Sequence, residues 1–206
     1  MLVNYEKHSG VYSGYAQLPL LARPLDFLYY LFFTVHLPAS LLVDLQWIYP
    51  KQFIPSFMSG FLNFYIDLSR DPLIGGLAGV FGDNTHLTWF KTFITLEAIF
   101  QIPVFIIGLQ GLRKGSRSIY PLLAAYGASS ATTTLACLTT VLQTPFVLPG
   151  ASAKGVVGVT QAQRLLLLSS YVPFFLIPLI MAVDMSMRVA KLVQRGIEVD
   201  NEGKWK

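Results

Sequence analysis

Three acids, a histidine and a glutamine stand where an apolar chain has least room for them. Asp44 lies in one long hydrophobic stretch, residues 25–49, and Glu97 in a second, residues 89–112. A carboxyl group in such a stretch is costly in lipid unless it faces a protein interior or a wet cavity. Glu97 and Gln101 are one turn apart, so a helix sets them on one face. His36 and Asp44 are eight positions apart, about 80° around a continuous helix, and line one broad face with Ser40 between them. Asp71 follows an aromatic segment and precedes Pro72, where it can reach back into the same mouth. A carboxylate in an apolar cavity either takes up a proton or pairs with a cation. A protonated amine on a greasy body supplies that cation, and two neighbouring acids can share a proton until it arrives. A steroid brings a hydroxyl instead, which an acid, a glutamine or a threonine can hold. The alternative is that these groups bond one another and only fix the packing, as buried polar groups usually do. Three acids together with His36 and Gln101 weigh towards a ligand cavity.

The elements that must position them are membrane helices. Four stretches, residues 25–49, 89–112, 120–148 and 165–190, each exceed the roughly 20 apolar residues a spanning helix requires. The chain of 206 residues is 53% hydrophobic and 13% charged, whereas a soluble domain carries about 25% charged residues. The expected fold is all-α, an integral membrane four-helix bundle with no room for a second domain. Residues 1–22 read as a cytoplasmic arm, 23–190 as the membrane domain and 191–206 as a cytoplasmic tail. Ten of the fifteen basic side chains fall in the two terminal segments and the connection between the second and third spans. The positive-inside rule then puts both termini in the cytoplasm. The net charge of +4 is therefore a topology signal, and nucleic acid is not expected as a partner. The first apolar run continues for a full span and reads as a signal anchor, not a cleaved leader.

Proline in the first span (Pro38), the second (Pro103) and the fourth (Pro173, Pro178) predicts bends, tolerated where helices splay around a cavity. Between the first two spans, Phe53, Phe57, Phe61, Phe64, Tyr65 and Leu68 recur at helical spacing. They predict a short helix in the interface or folded over the bundle mouth. Gly75, Gly76, Gly79 and Gly82 read as a flexible linker, with Asp83-Asn84-Thr85 opening the next helix. The small and hydroxyl residues at 128–134 suit close helix contact. Cys137, the single cysteine, reads as a small buried hydrophobe. His8, His36 and His86 are scattered without ligand spacing, so no metal is expected. No phosphate-binding glycine loop occurs, and no cofactor is expected.

The strings RPLDFLYYLFFTVHLPASLLVDLQ, FYIDLSRDPL, WFKTFITLEAIFQIPVF and SSYVPFFLIP resemble the EXPERA family, which includes the sterol isomerase called emopamil-binding protein. The resemblance runs from about Arg23 to about Arg188. It implies an endoplasmic-reticulum protein that binds sterols and lipophilic amines in an occluded pocket, and suggests a homodimer. By motif, Asp44 matches the acid that pairs with a ligand's amine and Asp71 a second, supporting acid. Glu97, Gln101 and His36 match other polar pocket groups, Thr134 a pocket threonine, and Tyr171 and Tyr65 aromatic wall residues. The chain departs from the pattern at Phe174 and Phe64, where a tyrosine and a tryptophan are expected, and its 75–85 segment is longer. Two functions remain open: a non-enzymatic binder, or an isomerase or terpene cyclase working through a carbocation. The latter requires an acid, cation-stabilising groups and a base, for which His36, Asp44 and Glu97 are the candidates. The emopamil-binding isomerase has a fifth span and a first-span histidine and acid one turn apart. Four spans and a spacing of eight weigh towards binding, with no residue assigned as catalytic.

Overall fold

The computed structural model describes residues 18–147 and 157–204. The expected arm before residue 18 lies outside the described residues. The described chain is all-α, apart from one isolated bridge between Phe146 and Val159. Helix α1 (Pro24–Leu42) starts with proline at its first position, where the missing N–H costs nothing, and carries Pro38 inside. It breaks at Val43 into a 3-10 turn, Asp44–Trp47. Asp44 therefore does not lie on the α1 face that its eight-residue spacing from His36 implied. The following helices are α2 (Ser56–Ser69), the short α3 (Ile74–Leu77), α4 (Thr88–Leu96), α5 (Ile102–Lys114), α6 (Tyr120–Gln143) and α7 (Gln161–Lys204).

Among the described residues, three elements are long and apolar enough to cross a membrane: Pro24–Trp47, Thr85–Lys114 and Gln161–Gly203. The 24 residues of α6 span about 36 Å, also membrane length, but their glycine, serine and threonine dilute the apolar character. These four long elements form the predicted bundle. Its outer surface is apolar, with Leu31, Val35, Ile99, Ile106, Leu176 and Ile180 all exposed. That is the inverse of a water-soluble protein and matches a lipid environment. The centre is aromatic: Tyr29, Phe33, Phe105 and Tyr126 are fully buried, with Met181 and Met185 filling between them.

The α6–α7 pair is the tightest contact, and Gly127 explains how it closes. A Cβ there would sit 2.6 Å from the Pro178 carbonyl and 2.7 Å from the Ala182 nitrogen. Only a residue without a side chain lets the two backbones approach so closely. The expected flexible linker divides: Gly79 and Gly82 are exposed turn glycines with φ 78° and 97°, whereas its first half is a packed plug. Ile74, Gly75, Gly76 and Leu77 are all buried, and a Cβ on Gly75 would meet the Phe81 ring at 2.5 Å. Gly75 and Gly76 serve close packing under α2 more than chain freedom. Asp83 and Asn84 do open the next helix, as expected. Hydrogen bonds from Thr85 to the exposed Asp83 carboxyl hold it below the usual carboxylate range.

At the end of the bundle where α1 begins, an ion cluster fastens the helices. Arg188 of α7 donates to Asp26 at 2.6 Å and grips Asp184 through both Nε and Nη2. Arg23 also pairs with Asp26 and donates to the Leu112 carbonyl at 2.7 Å. Tyr29 donates to Asp184 at 3.1 Å. Asp26 is 3% exposed, so its charge depends on both arginines.

Candidate functional site

Near the opposite end, α1, α4, α6 and α7 diverge around a cavity of about 220 Å³. The divergence has a local cause in the α4–α5 element. Pro103 cannot donate a backbone hydrogen bond, and the preceding turn, Glu97–Gln101, widens into a π-helical turn. Both of its polar ends, Glu97 and Gln101, are buried and face the cavity, as their spacing predicted. From α1 come His36, Ala39 and, past the break, Val43 and Asp44. From α7 come Ser170, Tyr171 and Phe174. The contribution of α6 is Ser130, Thr133, Thr134 and Cys137. That i, i+3, i+4, i+7 stripe is a helix face, so the run at 128–134 serves the cavity as well as helix contact. Of these, Ser130, Thr133 and Ser170 were not foreseen. The stripe was the signal that could have found the first two.

The polar groups differ in how far they are already committed. Glu97 accepts the Ser40 hydroxyl, and its Oε1 lies 3.7 Å from His36 Nε2. The His36 ring is walled by Phe105 at 4.7 Å and by the edge of Phe174 at 4.5 Å. His36 Nδ1 is buried without a hydrogen-bond partner among the described residues. Thr133 bonds back to the Ser129 and Ser130 carbonyls, which takes up its proton. By contrast, Thr134, Gln101 and Asp44 make no side-chain hydrogen bond to any described residue. Asp44 is half-buried and lines the cavity wall.

Asp71 is placed differently from the expectation. It is fully buried but does not line the cavity. Its Oδ2 accepts from Tyr65 at 2.7 Å and Tyr171 at 2.9 Å. Its Oδ1 accepts the backbone N–H of Leu73 at 2.8 Å and Ile74 at 3.1 Å, which starts α3. Four hydrogen bonds saturate this carboxylate, and its work is to hold Tyr65 and Tyr171, which do face the cavity. The chain reaches that position because Arg70 ends α2 in the left-handed conformation, φ 53°, turning Asp71 inward ahead of Pro72.

A model of the family described as EXPERA (EXPanded EBP superfamily) matches residues 57–185, more than half of the chain. The chain belongs to the EXPERA family. The matched segment begins in α2 and ends in α7, and so holds Tyr65, Asp71, Glu97, Gln101, Thr134 and Tyr171. This EXPERA protein is 32% identical over 168 residues to Sigma intracellular receptor 2 of Homo sapiens, covering 81% of the chain and 90% of that protein. The Macaca fascicularis protein of the same name is 31% identical over 169 residues, 82% of the chain and 90% of the relative. Efficient mitochondria targeting-associated protein 19 of Schizosaccharomyces pombe is 29% identical over 180 residues, 85% of the chain and 82% of the relative. Both kinds of relative are thus similar over more than four fifths of the chain.

Proposed function

We propose that this EXPERA protein binds a lipophilic amine or a sterol within the bundle, with Asp44 as the partner of the amine. The observation that carries the reading is the Asp44 carboxylate, uncommitted to any described residue and set in the wall of a largely apolar cavity. A charge so placed calls for a counter-charge or a proton. A greasy ammonium offers the first and fills the apolar space around Phe90, Phe93 and Ile94. A sterol uses the free groups Gln101 and Thr134 for its hydroxyl. Asp71 supports binding indirectly, through the tyrosines. The likeness to Sigma intracellular receptor 2 supports a ligand-binding role in an internal membrane. The same proposal includes the endoplasmic reticulum as its location, both termini in the cytoplasm and assembly as a homodimer. The test is equilibrium binding of a radiolabelled cationic amphiphile and of a sterol to purified protein. Asp44→Asn should abolish amine binding and spare most sterol binding. Unchanged amine affinity in that variant would move the cation to Glu97.

A second reading rests on a separate observation, the Ser40–Glu97–His36 contact. An acid beside a histidine is the pairing that a sterol isomerase or terpene cyclase uses to deliver and remove protons. Incubating the purified protein with unsaturated sterols and isoprenoids, followed by product analysis, tests it. A product that disappears in Glu97→Gln would establish this reading in place of binding alone.

A further inference from the structure

The space around Asp44 does not end at the inner cavity. On the far side of Val43, Asp44 and Ile74 lies a second recess of about 500 Å³, between the end of α1, α2 and α3. Those three residues line both spaces, and Asp44 carries the only charge in the shared wall. The two sides differ in character. The inner one is walled mainly by aromatic and aliphatic side chains. The outer one is mixed: Gln46, Lys51, Ser59, Asn63 and Asn84 alternate with Trp47, Tyr49, Ile54, Leu62 and Leu77.

The groups of this vestibule also differ in availability. Asn84 is spent: its amide nitrogen donates to the Leu77 carbonyl at 3.2 Å and its oxygen accepts from Lys91 at 2.8 Å. Tyr49 donates to the Leu41 carbonyl at 3.2 Å. Gln46 uses its nitrogen on the Leu42 and Met58 carbonyls, which turns its oxygen free. Asn63 and Lys51 are exposed, and their side chains have no hydrogen-bond partner among the described residues. The carboxylate of Asp44 thus has a largely apolar chamber on one side and, on the other, hydrogen-bonding groups available to a ligand.

We propose that the vestibule is a second subsite, which takes a short polar arm carried on the nitrogen of an amine ligand. This rests on the reading of Asp44 as the amine's partner and extends it. A secondary or tertiary ammonium donates its N–H to Asp44 and sends its two larger substituents in different directions. The apolar body enters the inner cavity. The other substituent enters the vestibule, where a chain of hydroxyl and ether groups meets Asn63, the Gln46 oxygen and the Lys51 ammonium at the rim. A second cationic group there is opposed by Lys51, so the arm is neutral or acceptor-rich. A bare alkyl arm leaves those groups to water and gains nothing from them.

The experiment compares two probes with the same lipophilic body, one an N-methyl amine and the other bearing an N-hydroxyethoxyethyl arm, on the full chain in nanodiscs. Asn63→Trp fills the vestibule from an exposed helix position. It should weaken the armed probe about tenfold and leave the methyl probe within about twofold. Asn63→Leu keeps the volume and removes one hydrogen-bonding group. It should weaken the armed probe alone, by about threefold. Retained methyl-probe binding shows in each case that the variant is folded. If both probes bind wild type through Asp44 and the two variants shift them equally or not at all, the vestibule subsite is overturned. If neither probe responds to Asp44→Asn, the amine reading itself fails, a result distinct from the first.

Discussion

At the scale of single residues, the two aspartates near the cavity have opposite roles, and the difference is one of hydrogen bonding. Asp44 makes no side-chain hydrogen bond to any described residue, whereas Asp71 accepts four hydrogen bonds and lies behind the tyrosines it holds. Asp44→Asn should therefore cost amine affinity at least about tenfold while leaving the melting temperature near wild type, because no protein contact is lost. Asp71→Asn should do the reverse in emphasis. It weakens two tyrosine hydrogen bonds and the start of α3, at roughly 1–3 kcal/mol of stability, with a smaller loss of affinity. Thermal melting and ligand binding measured on the same two proteins separate the roles. A larger loss of stability in Asp44→Asn would show them to be exchanged. The identity of these residues was legible in the sequence, because a carboxyl in an apolar stretch is conspicuous. Their division of labour was not, since it depends on Tyr65 and Tyr171 meeting Asp71 from positions 6 and 100 residues away. Asp26 and Asp184 were passed over for a related reason. They lie near the ends of their stretches, and only the fold shows that Arg188 joins them.

At the scale of elements, two contacts hold the bundle and each can be broken singly. Gly127 lets α6 meet the backbone of α7 at Pro178 and Ala182. Because the obstructing atoms are backbone, no rotamer change relieves a new side chain. Gly127→Val should destabilise by about 1–3 kcal/mol and enlarge or collapse the cavity that the same helix lines. The ion cluster supplies the second contact. Asp26→Asn leaves Arg23 and Arg188 facing a neutral group in a buried setting, on the order of 3 kcal/mol. Detergent-resistance and thermal-unfolding assays read both; unchanged melting in Asp26→Asn would mean that the cluster is solvated and structurally idle. The four long elements were readable from apolar length and the aromatic α2 from its helical spacing. The break at Val43 was not, because an 80° separation presumes an unbroken helix. The glycines at 75 and 76 misled for the complementary reason. Glycine signals either freedom or close approach, and burial by Phe81 and Leu87 decides for the latter.

At the scale of the whole molecule, most of the basic residues and the site occupy opposite ends. Helix α1 runs from Arg23 and Asp26 to Asp44, and the α4–α5 element returns from Lys91 to Arg113 and Lys114. Helix α6 leaves again from Tyr120 after Arg117, and α7 comes back from Arg164 to Arg188. Arg23 touching the Leu112 carbonyl and Arg188 touching Asp26 draw that basic end together in space. The 44 residues of α7 extend about 66 Å, twice the hydrocarbon thickness, so the helix continues well past Arg188 on that side. Its last turns carry Lys191 and Arg195, which reinforce the same end. On the proposed orientation, this end faces the cytoplasm and the vestibule the opposite side. The prediction has two arms. Tags at both termini should be reached by antibody or protease after selective permeabilisation of the plasma membrane, without opening internal membranes. A cysteine introduced as Lys51→Cys, at the vestibule rim, should react with an impermeant thiol reagent only once those internal membranes are opened. Labelling of position 51 from the cytoplasmic side, or a protected terminus, would invert or break the arrangement.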